Sequence, residues 1–177
     1  MNWNEEVFHM KKCKLVIASD AHNYIEGFDQ IVEQEPDGDY YLDLGDNFCY
    51  DDPTEEFLKK WCSVRGNNDY YRFPKTRNFD IFGKTIRMMH GEDMFWIYNT
   101  FEDIIDYMAL ENVDVLLMGH THRRAYYEKD GRTIINPGSF GRTREYEIRE
   151  QGLGTYCVLT IYEDGTMDHE FKTIERH

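Results

Sequence analysis

Basic residues are scarce in this sequence of 177 residues, which has 20 lysines and arginines against 34 aspartates and glutamates. The formal net charge of −14 repels polyanions at long range. Proteins that bind long nucleic acids without sequence preference normally present a basic face to the phosphates. The composition therefore argues against long DNA or RNA as a partner or substrate.

Long apolar runs and paired cysteines are also missing. No stretch approaches the roughly 20 apolar residues that a membrane-spanning helix needs. The first residues lack the cationic and apolar regions of a signal peptide. The four cysteines are scattered and include no C-x-x-C pair: Cys13, Cys49, Cys62 and Cys157. We therefore expect free thiols and a cytoplasmic protein that does not bind membranes.

Proline-rich linkers, internal repeats and low-complexity tracts are absent, and the chain has only 4 prolines. The length suits one domain, which would bury roughly 70% of the surface of its unfolded chain. We therefore expect residues 1–177 to form a single domain.

Short apolar runs that predict buried strands each end in a block of polar residues. The runs are residues 15–18, 40–44, 63–65, 85–89 and 115–118. The blocks are Ser19-Asp20-Ala21-His22, Gly45-Asp46-Asn47, Gly66-Asn67-Asn68-Asp69, His90-Gly91 and Gly119-His120-Thr121-His122. Helices are predicted over 25–32, over 54–60 with Thr54 as the cap, and after Asn99 or Thr100. Hairpin turns are predicted at 83–84, 129–131 and 163–165.

Seven side chains in these blocks offer hard oxygen or imidazole donors, and no thiolate is among them. Such donors suit Mn²⁺, Fe, Zn²⁺ or Ni²⁺ rather than a structural cysteine-type zinc site. The blocks lie roughly 20 to 30 residues apart, which suits units that return the chain to one sheet edge. The predicted metal ligands are Asp20, His22, Asp46, Asn67, His90, His120 and His122.

Each block is weak evidence alone. Taken alone, Asp20 as a helix cap and His22 are each more often structural than catalytic. His120 and His122 are two residues apart, so on an extended segment they would point to the same side. We expect the glycines before Asp46, Asn67 and His120 to allow tight turns, although ordinary loop glycines need no metal.

The order of the blocks resembles the calcineurin-like metallophosphoesterase superfamily. It is most similar to the small prokaryotic phosphodiesterases, whose motifs read D-x-H, GD, GN-x-D, HG and GHTH, followed by NPGS. The last motif is Asn136-Pro137-Gly138-Ser139 in this chain, and the resemblance runs from about Met10 to the end. It implies an α/β fold, a four-layer αββα sandwich of two mixed β-sheets flanked by helices. Relatives commonly begin just before the first strand, which would make residues 1–9 an N-terminal extension.

The resemblance also implies two divalent metal ions, with Mn²⁺ the first choice and Ni, Fe, Zn or Mg as alternatives. Asp46 would bridge them, because a carboxylate has two oxygens. Asp20, His22 and His122 would complete one site, and Asn67, His90 and His120 the other. The catalytic residues would be Asp46, Asn67 and His90, with a hydroxide shared by the ions attacking phosphorus. Asp43, on the strand before Asp46, is expected to lie outside the site.

Three positions depart from the family pattern. Relatives often have a histidine after the Gly-Asn pair to protonate the leaving group, whereas this chain has Asn68. Glu92 replaces the second histidine of His-Gly-His, and Asn23 replaces a glycine after Asp-x-His. The first departure favours phosphodiesters over monoesters as substrates, because an amide cannot transfer a proton.

Other groups have two interpretations. Gly138 and Ser139 are candidates to donate hydrogen bonds to phosphate, or they form a simple turn. The aromatic segments at 70–73 and 95–98 are candidates for stacking a ring of the substrate, but core packing or a contact between copies of the chain is favoured, so a homo-oligomer stays open. Four arginines would bind substrate phosphate or form a solvated face: Arg123, Arg124, Arg142 and Arg144.

We therefore expect a dinuclear-metal phosphoesterase that hydrolyses small phosphodiesters. One alternative is a nucleotide phosphatase or dinucleoside polyphosphate hydrolase. A different class is a scaffold similar to the retromer subunit of this fold, which resembles these enzymes but has lost metal ligands. The histidines at 22, 90, 120 and 122 argue against the scaffold.

Overall fold

The computed structural model describes residues 10–176, so the predicted extension at 1–9 lies outside the described residues. Ten strands form two sheets of five. The strands are β1 Lys12–Ala18, β2 Tyr40–Asp43, β3 Trp61–Ser63, β4 Thr76–Ile81, β5 Lys84–Met89, β6 Val115–Met118, β7 Arg124–Lys129, β8 Arg132–Pro137, β9 Leu153–Tyr162 and β10 Met167–Glu175.

Both sheets are mixed. The first has the order β10-β9-β1-β2-β3, in which β1, β2 and β3 are parallel and β9 and β10 are antiparallel additions. The second has the order β4-β5-β6-β8-β7, in which β5, β6 and β8 are parallel. Each sheet therefore presents the carboxyl ends of three parallel strands at one edge, where α/β proteins commonly place ligands.

Within residues 10–176, five helices flank the sheets: α1 Glu26–Gln34, α2 Glu55–Lys60, α3 Met94–Ile97, α4 Phe101–Leu110 and α5 Tyr146–Glu150. Thr54 caps α2 as predicted, because its side chain accepts a hydrogen bond from the Phe57 amide. Thr100 caps α4 and forms a capping box with Asp103. None of the helices in the described part of the chain is long and apolar enough to cross a membrane.

Alternation along the strands builds three apolar layers. Leu15 and Ile17 of β1 and Val115 of β6 face a core between the two sheets. The next side chains along the same strands face outward. Val16 packs with Phe28 of α1, and Leu116 packs with helix α4 on the far side of the second sheet. The predicted αββα sandwich is confirmed.

Two local predictions are wrong. The third strand was expected at 63–65, but β3 spans Trp61–Ser63 and pairs only with β2, so it ends where β2 ends. The hairpin between β4 and β5 turns at Phe82 and Gly83 rather than at 83–84. Both turn residues have positive φ, 49° and 78°, which matches the twist of the flanking strands.

Candidate metal centre

The five polar blocks meet at one edge of the sandwich, where the two sheets face each other. Asp20, Asp46 and Asn67 follow β1, β2 and β3 of the first sheet. His90 and His120 follow β5 and β6 of the second sheet. The predicted residues therefore come together from both sheets, across the seam between them.

Asp20, His22 and His122 form the first group. The His122 Nε2 atom lies 3.1 Å from Asp20 Oδ1. The His22 Nε2 atom lies 3.0 Å from His122 Nε2 and 3.8 Å from Asp20 Oδ1. Three donor atoms of the kinds that bind divalent cations thus converge on one point.

Asp46, Asn67, His90 and His120 form the second group. The His90 Nε2 atom lies 3.4 Å from Asp46 Oδ2 and 3.3 Å from His120 Nδ1. The Asn67 Oδ1 atom lies 3.0 Å from His120 Nδ1. Asp20, Asp46 and His90 have ligand atoms within 4.8 Å of one another, so the two groups are adjacent.

Backbone carbonyls fix the tautomers of two histidines. The Nδ1 atom of His90 lies 2.8 Å from the Leu44 carbonyl oxygen, and that of His122 lies 2.7 Å from the Arg142 carbonyl oxygen. Because a carbonyl only accepts, each Nδ1 carries a proton, so in the neutral imidazole each Nε2 directs a lone pair into the site. Lone pairs that face one another in this way call for a cation.

Asp20 provides a separate test of metal binding. Its Oδ2 atom accepts hydrogen bonds from the Ser19 hydroxyl at 2.6 Å and from the His120 amide at 3.0 Å. Its Oδ1 atom is buried and has no hydrogen-bond partner within residues 10–176. A bare buried carboxylate oxygen is costly unless a cation or proton binds it. The residues present therefore fit divalent metal ions.

In the unliganded chain, a proton on His90 takes the place that a metal ion would occupy. Burial opposes protonation of His90, but its contact with Asp46 and the charge of Asp20 raise the pKa of His90 to about 9. Burial likewise opposes ionisation of Asp46, yet His90 holds its pKa well below the usual range. Burial lowers the pKa values of His22 and His120, which favours the neutral form that binds metals.

Five of the seven residues have left-handed backbone conformations, with φ between 46° and 67°. They are Asp20, His22, Asp46, His120 and His122. The prediction that His120 and His122 lie on an extended segment is therefore wrong. His122 contacts His22 of the first group, and His120 contacts Asn67 of the second. Such conformations are rare outside glycine and cluster at functional sites.

Asp69 organises the loop that carries Asp46. One oxygen of its carboxylate accepts hydrogen bonds from the backbone amides of Asp46 and Gly66, at 2.8 and 2.7 Å. The other oxygen accepts the amides of Asn47 and Phe48, at 2.7 and 2.9 Å. Asp69 therefore positions the ligand loop rather than contacting the donor cluster.

Asp43 is buried at the end of β2 and supplies no atom to the donor groups, but it supports the loops that do. Its Oδ1 atom accepts hydrogen bonds from the Gly45 amide and the Asn47 side chain, at 3.0 and 2.6 Å. Asn47 in turn accepts the Ala21 amide at 3.0 Å. Asp43 and Asn47 thus connect the loop after β1 to the loop after β2. The sequence motif does not predict that these two side chains are buried.

The glycines before three ligands serve different purposes. Gly45 has a φ of 95° and makes the expected turn. A Cβ atom on Gly66 would lie 2.1 Å from Asp46 Oδ1, and one on Gly119 would lie 2.0 Å from the Ser19 hydroxyl oxygen. These two glycines therefore allow close approach between loops, rather than turns.

Two groups with open interpretations, the NPGS segment and the four arginines, have defined positions in the structure. The Ser139 hydroxyl is buried, where it donates to the Asp20 carbonyl and accepts the Arg142 amide, both at 2.7 Å. The NPGS segment is thus structural. Arg124 binds Glu145 through two nitrogens, whereas three arginines are exposed: Arg123, Arg142 and Arg144.

Asn23 and Asn68, two of the departures from the family motif, both form hydrogen bonds at the site. Asn23 has a φ of 70°, which asparagine tolerates better than most residues, and it accepts the Cys49 amide. Asn68 donates its backbone amide to Asp46 Oδ1 at 2.7 Å and its side-chain amide to Asp46 Oδ2 at 2.5 Å. The amide at this position therefore contacts the central carboxylate directly.

The aromatic segments divide between core and surface. Phe73 and Tyr98 are partly buried and pack against the outer apolar clusters, as the core interpretation predicts. Tyr70 and Trp96 are exposed, and the Phe95 ring lies beside His120.

An αββα sandwich with a cluster of carboxylate and histidine donors at its strand ends defines a metal-binding class of α/β protein. The family model of the calcineurin-like phosphoesterase superfamily domain matches residues 13–164. The chain therefore belongs to the calcineurin-like phosphoesterase superfamily. A probable metallophosphoesterase of Mycoplasma pneumoniae is 26% identical over 162 residues, 89% of this chain and 96% of that protein.

Solved structures share the fold. A predicted phosphoesterase of Streptococcus pneumoniae has a TM-score of 0.72 and 19% identity, over 94% of this chain and 100% of that one. An archaeal phosphodiesterase has a TM-score of 0.63 and 21% identity, over 90% and 99%. Vps29 of Entamoeba histolytica complexed with zinc has a TM-score of 0.65 and 20% identity, over 90% and 98%.

Proposed function

We propose that this protein is a dinuclear-metal phosphoesterase that hydrolyses small phosphodiesters. The observation that carries the proposal is the convergence of carboxylate and imidazole donor atoms around Asp20 Oδ1, a buried oxygen with no hydrogen-bond partner in the described part of the chain. Asp20, His22 and His122 would hold one ion, Asn67, His90 and His120 the other, and Asp46 both. When bound, two such ions supply Lewis acidity, an activated water and a template for the phosphate.

The chain's own residues supply orientation. Leu44 and Arg142 hold the imidazoles of His90 and His122 through their carbonyls, at 2.8 and 2.7 Å. Asp69 fixes the backbone around Asp46 through four amides. The exposed guanidinium of Arg142 is one residue beyond the buried Gly141 and is our candidate to bind a non-bridging phosphate oxygen.

Phosphodiesters are the favoured substrate class because the position after Asn67 holds Asn68. Its side-chain amide is engaged with Asp46 and has no proton acidic enough to transfer. A diester with a good leaving group needs no such proton. The alternative of a nucleotide or dinucleoside polyphosphate phosphatase requires another acid at this edge.

A scaffold is the second candidate, since Vps29 has this fold with a TM-score of 0.65. That Vps29 structure contains zinc, so metal binding alone fits both candidates. We favour the enzyme because a relative that matches over 89% of this chain is a probable metallophosphoesterase. We further propose Mn²⁺ as the native ion, with Ni, Fe, Zn or Mg as alternatives for the same hard donors. The four free thiols suit a reducing compartment, and we place the protein in the cytoplasm.

Asp46→Asn tests the dinuclear assignment. The variant should lose at least one of two ions per chain, because both groups lose a shared negative charge. Its turnover of an aryl phosphodiester with Mn²⁺ should fall by more than about 100-fold, since even the partners of metal ligands contribute 10–100-fold. Elemental analysis and steady-state kinetics measure the two effects.

The matched control is Asp51→Asn, which removes an exposed carboxylate five positions along the chain. It should keep both ions and full turnover. Asp43 is unsuitable as a control because it is buried and holds Asn47. Two metals per chain and normal turnover in Asp46→Asn would show that the assignment is wrong. Bound metals without turnover of any phosphate ester in the wild type would favour the scaffold.

A further inference from the structure

We propose that Phe95 and the cavity beside it bind an aromatic ring carried by one ester group of the substrate. This inference rests on the proposed function, because the ring would belong to a phosphate ester held at the metal centre. It names a substrate class, aromatic phosphate esters, that the ligand motifs do not specify.

The first observation is the position of the Phe95 ring. Its centroid lies 6.0 Å from that of His120, and the two rings are inclined by only 26°. His120 itself contacts Asn67 and His90. The Phe95 side chain is 37% exposed, so part of this ring remains open at the mouth of the metal centre.

The second observation is that the ring is anchored. The chain turns at Gly91, whose φ is 98°, and the carbonyl of Gly91 accepts the Met94 amide at 3.1 Å. Met94 is buried and packs against Met118 and Ile104. The short helix α3 is therefore fixed to the core by Met94, and this anchor holds the adjacent Phe95 beside the ligand His120.

The third observation is a cavity of 230 Å³ that Phe95 also lines. Its other walls are Tyr98, Asn99, Thr100, Phe101 and Ile104. The pocket is open to solvent, and its volume exceeds the roughly 150 Å³ of an enclosed apolar cavity that holds benzene. The Phe95 ring thus neighbours His120 and also lines a pocket whose volume would hold one ring.

The chemistry of the walls selects an aromatic ring over an alkyl group. Aromatic faces and edges carry opposite partial charge, so rings pack on rings in preferred geometries. Stacking on an aromatic side chain is tolerant of the identity of the ring. Three of the six walls are aromatic, which favours a planar ring over a saturated group of similar size.

Binding of phenylphosphonate and cyclohexylphosphonate tests the inference without catalysis. The two probes have the same phosphonate group and similar size, but only one has an aromatic ring. Calorimetric titration into the Mn²⁺-loaded protein, at a pH where both probes are dianions, should give tighter binding of phenylphosphonate by on the order of tenfold. In Phe95→Leu the preference should fall to about twofold or less, with little change for cyclohexylphosphonate.

Trp96→Ala is the control, because Trp96 is 89% exposed on the same short helix. It should keep the phenyl preference. Equal affinities in the wild type, or a preference that survives Phe95→Leu, would overturn the inference. So would equal weakening of both probes with loss of metal in Phe95→Leu, which would mean that Phe95 merely supports His120.

Hydrolysis of an aryl phosphodiester is measured separately on the same Mn²⁺-loaded protein. A phenyl preference that depends on Phe95, without hydrolysis, supports the ring-binding site and counts against the proposed enzyme. Hydrolysis without the preference overturns the ring-binding site alone.

Discussion

Asn68 places a neutral amide against the central carboxylate of the candidate site. Both Asp46 oxygens accept hydrogen bonds from it, one from its backbone and one from its side chain. A histidine at this position would bring a group that protonates a departing oxygen near neutral pH. The choice of asparagine therefore bears on which esters the chain cleaves.

Hydrolysis by the wild type should depend steeply on the acidity of the leaving group, with aryl diesters fast and alkyl monoesters slow. Asn68→His should narrow this gap by raising the slow reactions up to about 100-fold, the lower range of a positioned histidine. Rates across a series of esters of graded leaving-group pKa measure the slope.

Asn68→Ala is the control, because it removes the bond to Asp46 without adding an acid. It should keep the steep slope. A flat slope in the wild type would show that another group already donates the proton, and the hypothesis about Asn68 would be dropped.

The loops that follow strands β1 and β6 approach each other closely at the candidate site. β1 and β6 belong to different sheets, yet the loops after them meet where Gly119 lies against Ser19 and Asp20. No side chain fits between them. The geometry of Asp20 therefore depends on a residue that supplies no ligand atom.

Gly119→Ala should lower the free energy of unfolding by about 2 kcal/mol, as overpacking of a buried site does. The added Cβ atom would lie 2.0 Å from the Ser19 hydroxyl oxygen and 2.9 Å from Asp20 Oδ2. Because Asp20 must shift, metal affinity should also fall by at least about tenfold. Denaturant unfolding and metal titration measure the two effects.

Gly131→Ala is the control for Gly119→Ala, because it adds a Cβ atom to a glycine that has no neighbouring atoms to clash with. Gly131 has a φ of 73° with open space around it, so alanine should cost about 1 kcal/mol of stability there. Metal affinity should not change, since this turn is remote from the site. An unaltered affinity in Gly119→Ala would contradict the role assigned to this glycine.

The sequence predicted most elements because apolar runs and caps are local signals. The run at 115–118 matches β6, and Thr100 caps α4 as expected. The third strand was misplaced because pairing with β2, a distant segment, decides where it ends. Local patterns do not encode such pairing.

The seven candidate ligands were also identified from sequence, through the order of short motifs. The supporting groups were not, because they depend on three-dimensional contacts. The carbonyls of Leu44 and Arg142 have no side-chain signature, and the burial of Asp43 appears only in the folded sheet. The assignment of the seven side chains as metal ligands stays a prediction, which measurement of bound ions would test.

At the scale of the whole molecule, net charge sets long-range behaviour. With a formal charge of −14, the protein should show no measurable affinity for long duplex DNA at low salt. Fluorescence anisotropy of labelled DNA measures this. Tight binding that weakens steeply with added salt would contradict this expectation and indicate a focused basic groove. The exposed Arg142 would be the first residue to test.

A buried ion network joins the first sheet to α1. Glu35 accepts hydrogen bonds from Lys172 at 2.6 Å and Tyr156 at 2.7 Å, and Lys14 lies 2.8 Å from its second oxygen. Burial opposes ionisation, but the two lysines and the tyrosine lower the pKa of Glu35 below its usual value. Lys14 also binds Asp37.

Glu35→Gln should lower the free energy of unfolding by about 2–3 kcal/mol at pH 7. Because the folded pKa is depressed, the wild-type advantage is complete above the unfolded pKa of about 4.3 and is lost as pH falls through the folded value. Denaturant unfolding between pH 7 and pH 3 measures it. Glu33→Gln, an exposed change on the same helix, should cost little at any pH. A constant difference at all pH values would contradict the charge-based explanation.

The position of the candidate site at the seam between the sheets has a consequence for the order of folding. His22 and His122 are 100 residues apart in sequence, so their contact closes a long loop and requires both sheets to be in place. The left-handed backbone of five candidate ligands adds conformational cost without early reward. We therefore expect the site to form after the folding transition state, so that interactions made there slow unfolding while leaving the folding rate unchanged. Ions bound at the seam would lengthen the lifetime of the native protein without hastening its formation.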